Sequence, residues 1–262
     1  TSGSSNGVDD AHVKVTGDHQ VEGSATGGQF YSGKHTVYFI AKFDHAFKKH
    51  GTWKDSDVDE GSDKSDGKKS GAYVTFDKGQ DVKMKVGISY VSIENAEENL
   101  DKEIPDWDFQ KTKDEADQAW NQHLNKIQVS GGTDDQKKIF YSALYHSLLH
   151  PNVFSDTNGE YIGFDDKVHK SKKHKQYANF SSWDIYRSEY QLLSILAPDE
   201  TSDMNQSQLN DAKQGGGAFP IWGVANDDAH VMIGDSSDIM IASGYAFGAD
   251  NFDHQEALKY MI

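Results

Sequence analysis

The chain has 262 residues, enough for one large domain or two ordinary ones with cores of their own. Its formal charge of -16, from 26 Lys plus Arg against 42 Asp plus Glu, repels polyanions and excludes nucleic acid as a partner. No stretch approaches the roughly 18 to 20 apolar residues of a membrane span, and no cysteine is present, which excludes membrane insertion, a disulfide framework and thiol catalysis.

Thr1 to Asn6 lack the basic and apolar parts of a secretory leader. The β-branched and aromatic run Lys34 to Phe43 predicts a strand, and Gly71 to Phe76 predicts another. Val82 to Val91 alternates apolar and polar residues with period two, the pattern of a half-buried strand in an antiparallel sheet. Between them, Lys54 to Lys69 is charged and Gly-containing with only Val58 apolar, so an exposed loop is expected there.

Past Ser92 the period changes. Ile93 to Glu103 has a helical composition that stops before Pro105, because the residue preceding a proline is pushed out of the α region. A second helix is expected from Asp108, with Phe109, Ala116, Ala119, Trp120, Leu124 and Ile127 on one face and Trp120 in the core. Gly131 and Gly132 break the chain, and Thr133 or Asp134 can cap an apolar helix running to about Leu149, ended by His150-Pro151. The expected division is a strand-rich unit over residues 1–92, a helical linker over 93–130 and a helical unit over 131–262, with no internal repeat.

Three clusters in the second half carry more polar and aromatic side chains than a core needs. His146 and His150 stand four apart, which would place both imidazoles on one helix face and could bind a metal given a third ligand, although two histidines bonded at a helix end fit the same spacing. In Ser182-Trp183-Asp184-Ile185-Tyr186-Arg187, an indole, a carboxylate and a guanidinium can stack on a sugar's apolar face and bond its hydroxyls. The same residues equally describe an Asp184–Arg187 salt bridge with Trp183 as packing. Gly215 to Gly217 and the segment His230 to Asp238 allow turns that would bring Trp222 and Asp235 to the mouth of a helical assembly, while Ile239 to Tyr245 reads as a buried helix. No Lys-Ser/Thr pair follows the glycines, so they are not a phosphate-binding loop.

Val86 to Ser92, Ile139 to Ser147, His150 to Asp156, Ser182 to Arg187 and Met232 to Asp235 resemble, in the same order, motifs of family 92 glycoside hydrolases, and the likeness covers most of residues 30–262. That resemblance implies a β-sandwich followed by an all-α (α/α)6 barrel, here partial at both ends. It also implies a secreted or cell-surface bacterial exo-α-mannosidase that acts on α-mannoside glycans with inversion and uses calcium. One carboxylic acid would protonate the leaving oxygen and a carboxylate would activate water, the two standing roughly 6.5 to 9.5 Å apart. By the resemblance, Asp184 and Arg187 bind hydroxyls of the terminal mannose, Asp235 lines or supports the pocket, and Trp183 and Trp222 form its walls. The catalytic acid and base and the calcium ligands are expected beyond Ile262, in the remaining part of the same polypeptide. On that view the opening of the sandwich precedes Thr1, the stretch from Asp203 to Gly215 is shortened, and apolar helix faces of the partial barrel are left exposed. The competing expectation is a mannose-binding module that keeps Trp183, Asp184 and Arg187 and cleaves nothing.

Overall fold

The computed structural model describes residues 7–28 and 33–262, so Thr1 to Asn6, read above for leader features, lie outside the described residues. Strands come first: β1 Val8–Thr16, β2 Gln20–Gly28, β3 Lys34–Phe43, β4 Lys49–Lys54, β5 Asp57–Glu60, β6 Lys64–Asp66, β7 Ser70–Thr75 and β8 Met84–Ser89. Helices α1 Ile93–Glu103, α2 Phe109–Leu124 and α3 Asp134–Ser147 follow, then the short strands β9 Asn152–Val153, β10 Glu160–Ile162, β11 Val168–Lys170 and β12 Tyr177–Ala178. The chain continues through α4 Ser182–Ile185, α5 Glu189–Leu196, α6 Pro198–Gln214, the hairpin of β13 Gly223–Val224 and β14 Asp227–Asp228, then α7 Ser236–Ala246 and α8 His254–Tyr260. A sheet-rich region is thus followed by a helical one.

Two compact units result: Thr1–Trp107 with Ser155–Ile162 and Val168–Lys170, and Asp108–Phe154 with Gly163–Lys167 and Ser171–Ile262. Helix α1 falls in the first unit and α2 in the second.

In the first unit an antiparallel sheet has the order β6-β1-β2-β3-β8, and a smaller one has the order β5-β4-β7. The register Val13↔Gly23, Gly23↔Phe39 and Phe39↔Ile88 carries one apolar row across the larger sheet. On its other face α1 packs through Ala96 and Leu100 against Ile40, all nearly inaccessible to solvent. That packing inverts the expectation for β8. The alternation is present, but Gly87 and Ser89 turn inward while Met84, Val86 and Ile88 are exposed, because α1 lies directly on Gly87, where a Cβ would overlap the Ala96 carbonyl.

The segment expected as a loop between Lys54 and Lys69 instead contains β5 and β6. Its charged side chains stay in water while the backbone pairs, with Thr52↔Asp59 and Lys54↔Asp57 on one side and His12↔Asp66 on the other. Both strands are sheet edges, where charge discourages further pairing, so a strongly polar sequence is compatible with strand there.

In the second unit Phe180, Tyr190, Leu193, Met204 and Met240 form one core cluster, and Leu209, Ile241, Phe252 and Ala257 another. Thr133 caps α3 with a reciprocal bond to Gln136, as its position before the apolar run requires. The expected apolar face of α2 is not buried: Phe109 is 73% exposed, and Trp120 is half-buried edge-on against Tyr145, 4.6 Å between ring centres. Helix α7 also departs from expectation, turning Ser236, Ser237, Met240, Ile241 and Gly244 inward and leaving Ile239 and Tyr245 exposed. Helix α6 is polar yet mostly buried, which only side-chain bonding permits. Tyr190 donates to Asn205 Oδ1 at 2.7 Å, Asn205 Nδ2 donates to the Ala249 carbonyl at 3.1 Å, and Ser207 Oγ accepts from the Tyr177 amide at 2.8 Å.

Candidate carbohydrate site in the helical unit

Helix α4 is a single turn whose inward positions go to Ser182 and Ile185, so Trp183 and Asp184 are left facing outward, Trp183 with 45% of its surface exposed. Two serine contacts fix that turn. The Ser182 and Ser237 hydroxyls lie 3.0 Å apart, and Ser237 donates on to the Pro220 carbonyl at 2.5 Å, which ties α4, α7 and the loop after the glycines into one buried chain. Trp222 donates its indole N–H to Ser181 Oγ at 2.9 Å, so a half-buried tryptophan closes over the start of α4.

The loop bearing Trp222 is shaped by Asp228. Its carboxylate accepts from the Ile221 and Trp222 amides at 2.9 and 3.0 Å and from the His230 amide at 3.1 Å. Gly216 and Gly217, with φ of 104° and 103°, make the turn that leads into this loop, a backbone state closed to most other residues. Asn179, itself at φ 62°, accepts from the Ala225 amide at 3.0 Å and donates to Asn152 Oδ1 at 2.7 Å, so the His150-Pro151-Asn152 motif buttresses the same loop.

The three segments carrying Trp183 with Asp184, Trp222, and Asp235 are therefore brought together by the serine and asparagine bonds. Asp235 occupies the N-cap position of α7, exposed and without a capping bond of its own. Its charge, after burial, contributes to raising the Asp238 carboxyl above the usual aspartate range. Arg187 lies beyond α4 and does not take up the salt bridge with Asp184. Its Nε donates to Tyr186 OH at 2.7 Å and its guanidinium stands 5.3 Å from that ring centre, leaving the Asp184 carboxylate open to solvent. Burial alone raises Glu189, at the start of α5.

This arrangement offers flat indole surfaces, carboxylates and a guanidinium to a polar ligand, which is the chemistry a pyranose needs. It shows no nucleophile held by a base. The imidazoles of His146 and His150 do not share a helix face, because α3 ends at Ser147, and both are exposed. Among the described residues no three His, Asp or Glu side chains converge as a metal site. Sequence reasoning missed Asn179, Ser181, Asp228 and Ser237, whose roles depend on partners 27 to 55 residues away or on local turns that no periodicity marks.

Residues 1–89 match the Glycosyl hydrolase family 92 N-terminal domain, and residues 95–262 match the Glycosyl hydrolase family 92 catalytic domain. The chain belongs to glycosyl hydrolase family 92. Among solved structures, the chain is similar to a family GH92 alpha-mannosidase of Bacteroides thetaiotaomicron, 24% identical over 98% of this chain and 36% of that one, with a TM-score of 0.92. It is also similar to a family GH92 inverting mannosidase of the same organism, 25% identical over 97% of this chain and 35% of that one, with a TM-score of 0.89. A curated relative, an uncharacterized secreted glycosidase of Arthroderma benhamiae, is 35% identical over 98 residues, which are 34% of this chain and 13% of the relative. The chain therefore spans about a third of the length of these solved family 92 structures.

Proposed function

We propose that the family 92 polypeptide containing this chain is an exo-acting α-mannosidase that removes terminal α-linked mannose from glycans with inversion. Supporting this reading are the family match and the Ser182–Ser237 and Trp222–Ser181 bonds, which join the segments that carry Trp183 with Asp184, Trp222 and Asp235. In this reading Asp184 and Arg187 hold hydroxyls of the terminal mannose, Trp183 and Trp222 cover its apolar faces, and Asp235 supports the pocket from the cap of α7. The acid, the base and any calcium ligands come from parts of the family's longer chains. Among the described residues no cluster of carboxylates and imidazoles fits a calcium ion. The protein acts outside the cell or at its surface, in line with the secreted relative, and among the described residues no helix is long and apolar enough to cross a membrane.

The test is release of mannose from α-linked mannobioses by the complete polypeptide, with and without a calcium chelator, with the anomer of the first-formed sugar read by NMR. Chelator-sensitive release of the inverted anomer is expected. Tight mannose binding without release would instead assign the chain to a binding module.

A further inference from the structure

The sheet unit contains a second aromatic surface that the proposed hydrolytic reading does not use. Trp53 of β4 pairs across the smaller sheet with Gly71 of β7, and its indole lies so closely over that glycine that a Cβ there would overlap ring atoms Cζ2 and Cη2. Gly71 thus lets the ring lie against the backbone, with 36% of the residue still exposed. Trp53, Gly71, Asp55 and Lys69 all line one open cleft of about 1240 Å³ between the two sheets, whose floor includes Phe39 and Val74.

The backbone beside the indole is fixed by the hairpin. Asp55 sits at φ 55° in the β4–β5 turn, its amide donates to the Lys69 carbonyl at 2.8 Å, and its carboxylate stands 3.9 Å from the Lys69 ammonium. Both side chains remain largely exposed, at 65% and 78%, so acceptor and donor are available to a ligand at the edge of the ring. An indole backed by peptide, with a carboxylate and an ammonium alongside, matches a pyranose: C–H groups on one face and hydroxyls around the rim.

We infer that Trp53, Asp55 and Lys69 form an accessory pyranose-binding subsite on the sheet unit, one that holds a mannan chain. The choice of mannan rests on the proposed function; the aromatic subsite itself does not. Burial of the sugar's C–H face on the indole supplies affinity, and the Asp55–Lys69 pair selects hydroxylated rings over purely apolar ligands.

The test is native gel electrophoresis of the 262-residue chain in gels with and without yeast α-mannan, with albumin as the unretarded standard. The unsubstituted chain is expected to be retarded by mannan, and Trp53→Ala to lose about tenfold in apparent affinity, as expected for removing roughly 1.4 kcal/mol of contact. Lys69→Met, at an exposed position where refolding is not at issue, is expected to weaken retardation several-fold with an unchanged urea midpoint. Absence of retardation for the unsubstituted chain overturns the inference, as does equal retardation of Trp53→Ala. Retardation by an octyl-agarose matrix but not by mannan also overturns it, since the cleft then takes apolar ligands. Because the gel reads binding and not cleavage, failure of mannose release leaves this outcome readable.

Discussion

Asn99 donates from Nδ2 to Asp156 Oδ1 at 2.7 Å while its own Oδ1 accepts from the Thr157 amide at 2.8 Å, so one amide of α1 closes on the Ser155–Ile162 segment from two directions. Asp156 Oδ2 accepts in addition from Ser89 Oγ at 2.7 Å and Asn95 Nδ2 at 2.8 Å. This carboxylate, from the motif His150 to Asp156, is a buried acceptor for three side-chain donors and serves the sheet unit. Asp156→Ala takes one acceptor from the Ser89 hydroxyl and from the Nδ2 groups of Asn95 and Asn99, which keep Glu160 Oε2 and the Ile88 carbonyl, and is expected to destabilise the unit by about 2 to 4 kcal/mol, since a buried polar group left unsatisfied costs roughly 1 to 3. Urea unfolding followed by circular dichroism measures it. A shift below half a kcal/mol would mean that water replaces the carboxylate at no cost.

The Trp222–Ser181 bond predicts a coupled pair. Trp222→Phe and Ser181→Ala each remove one partner, and a double-mutant cycle is expected to give a coupling of about 1 kcal/mol in stability. Mannose binding should fall on Trp222→Phe even where the fold persists, because the loop over α4 loses its tie. Strictly additive effects would show that Asp228 and Asn179 hold the loop without this bond.

Asp211, inside α6, has its carboxyl raised well above the usual aspartate range by burial, offset in part by the bond that Oδ1 accepts from Gln176 Nε2 at 2.9 Å. A carboxyl with a raised folded-state pKa binds its proton more tightly when folded, so the stability it contributes is present at low pH. That contribution is lost as pH rises from the ordinary aspartate range through the raised value. Asp211→Asn cannot ionise. The difference in urea midpoint between the Asn variant and the unsubstituted chain is therefore expected to move in favour of the variant as pH is raised from 4 to 8. Parallel midpoints over that range would place an ionised carboxylate in the core.

These groups explain what the sequence does and does not disclose. Lys34 to Phe43 and Ile93 to Glu103 are legible because β-branched runs and a proline stop act locally, and they coincide with β3 and α1. The inward face of β8 is not, since it depends on α1 packing over Gly87, a contact the alternation cannot reveal. Helix α6 is hidden for a related reason: Asn205, Ser207, Gln208 and Asp211 look like surface residues, and only partners elsewhere in the helical unit let them be buried. At the candidate site, the aromatic and charged residues stand out by composition. The serines and asparagines that orient them do not, because Ser and Asn are common in any loop.

The guanidinium of Arg187 gives the sharpest test of the sugar reading. Its Nε donates to Tyr186 OH, and among the described residues no carboxylate pairs with the guanidinium, which leaves its other N–H donors for a ligand. A planar fork can bond two neighbouring hydroxyls of one pyranose, whereas a lysine ammonium at the same place offers a point charge on a mobile stem. Arg187→Lys is therefore expected to weaken binding of methyl α-mannoside about tenfold, a loss of roughly one charge-assisted hydrogen bond. Tyr186→Phe keeps the guanidinium but frees it, and is expected to cost less, about threefold, through the entropy of fixing a loose side chain. Titration calorimetry on the two variants, with urea midpoints as a check on folding, separates these effects. If Arg187→Lys binds as the unsubstituted chain does while Tyr186→Phe does not, Tyr186 rather than Arg187 meets the sugar, and the recognition shifts to the ring and hydroxyl of the tyrosine.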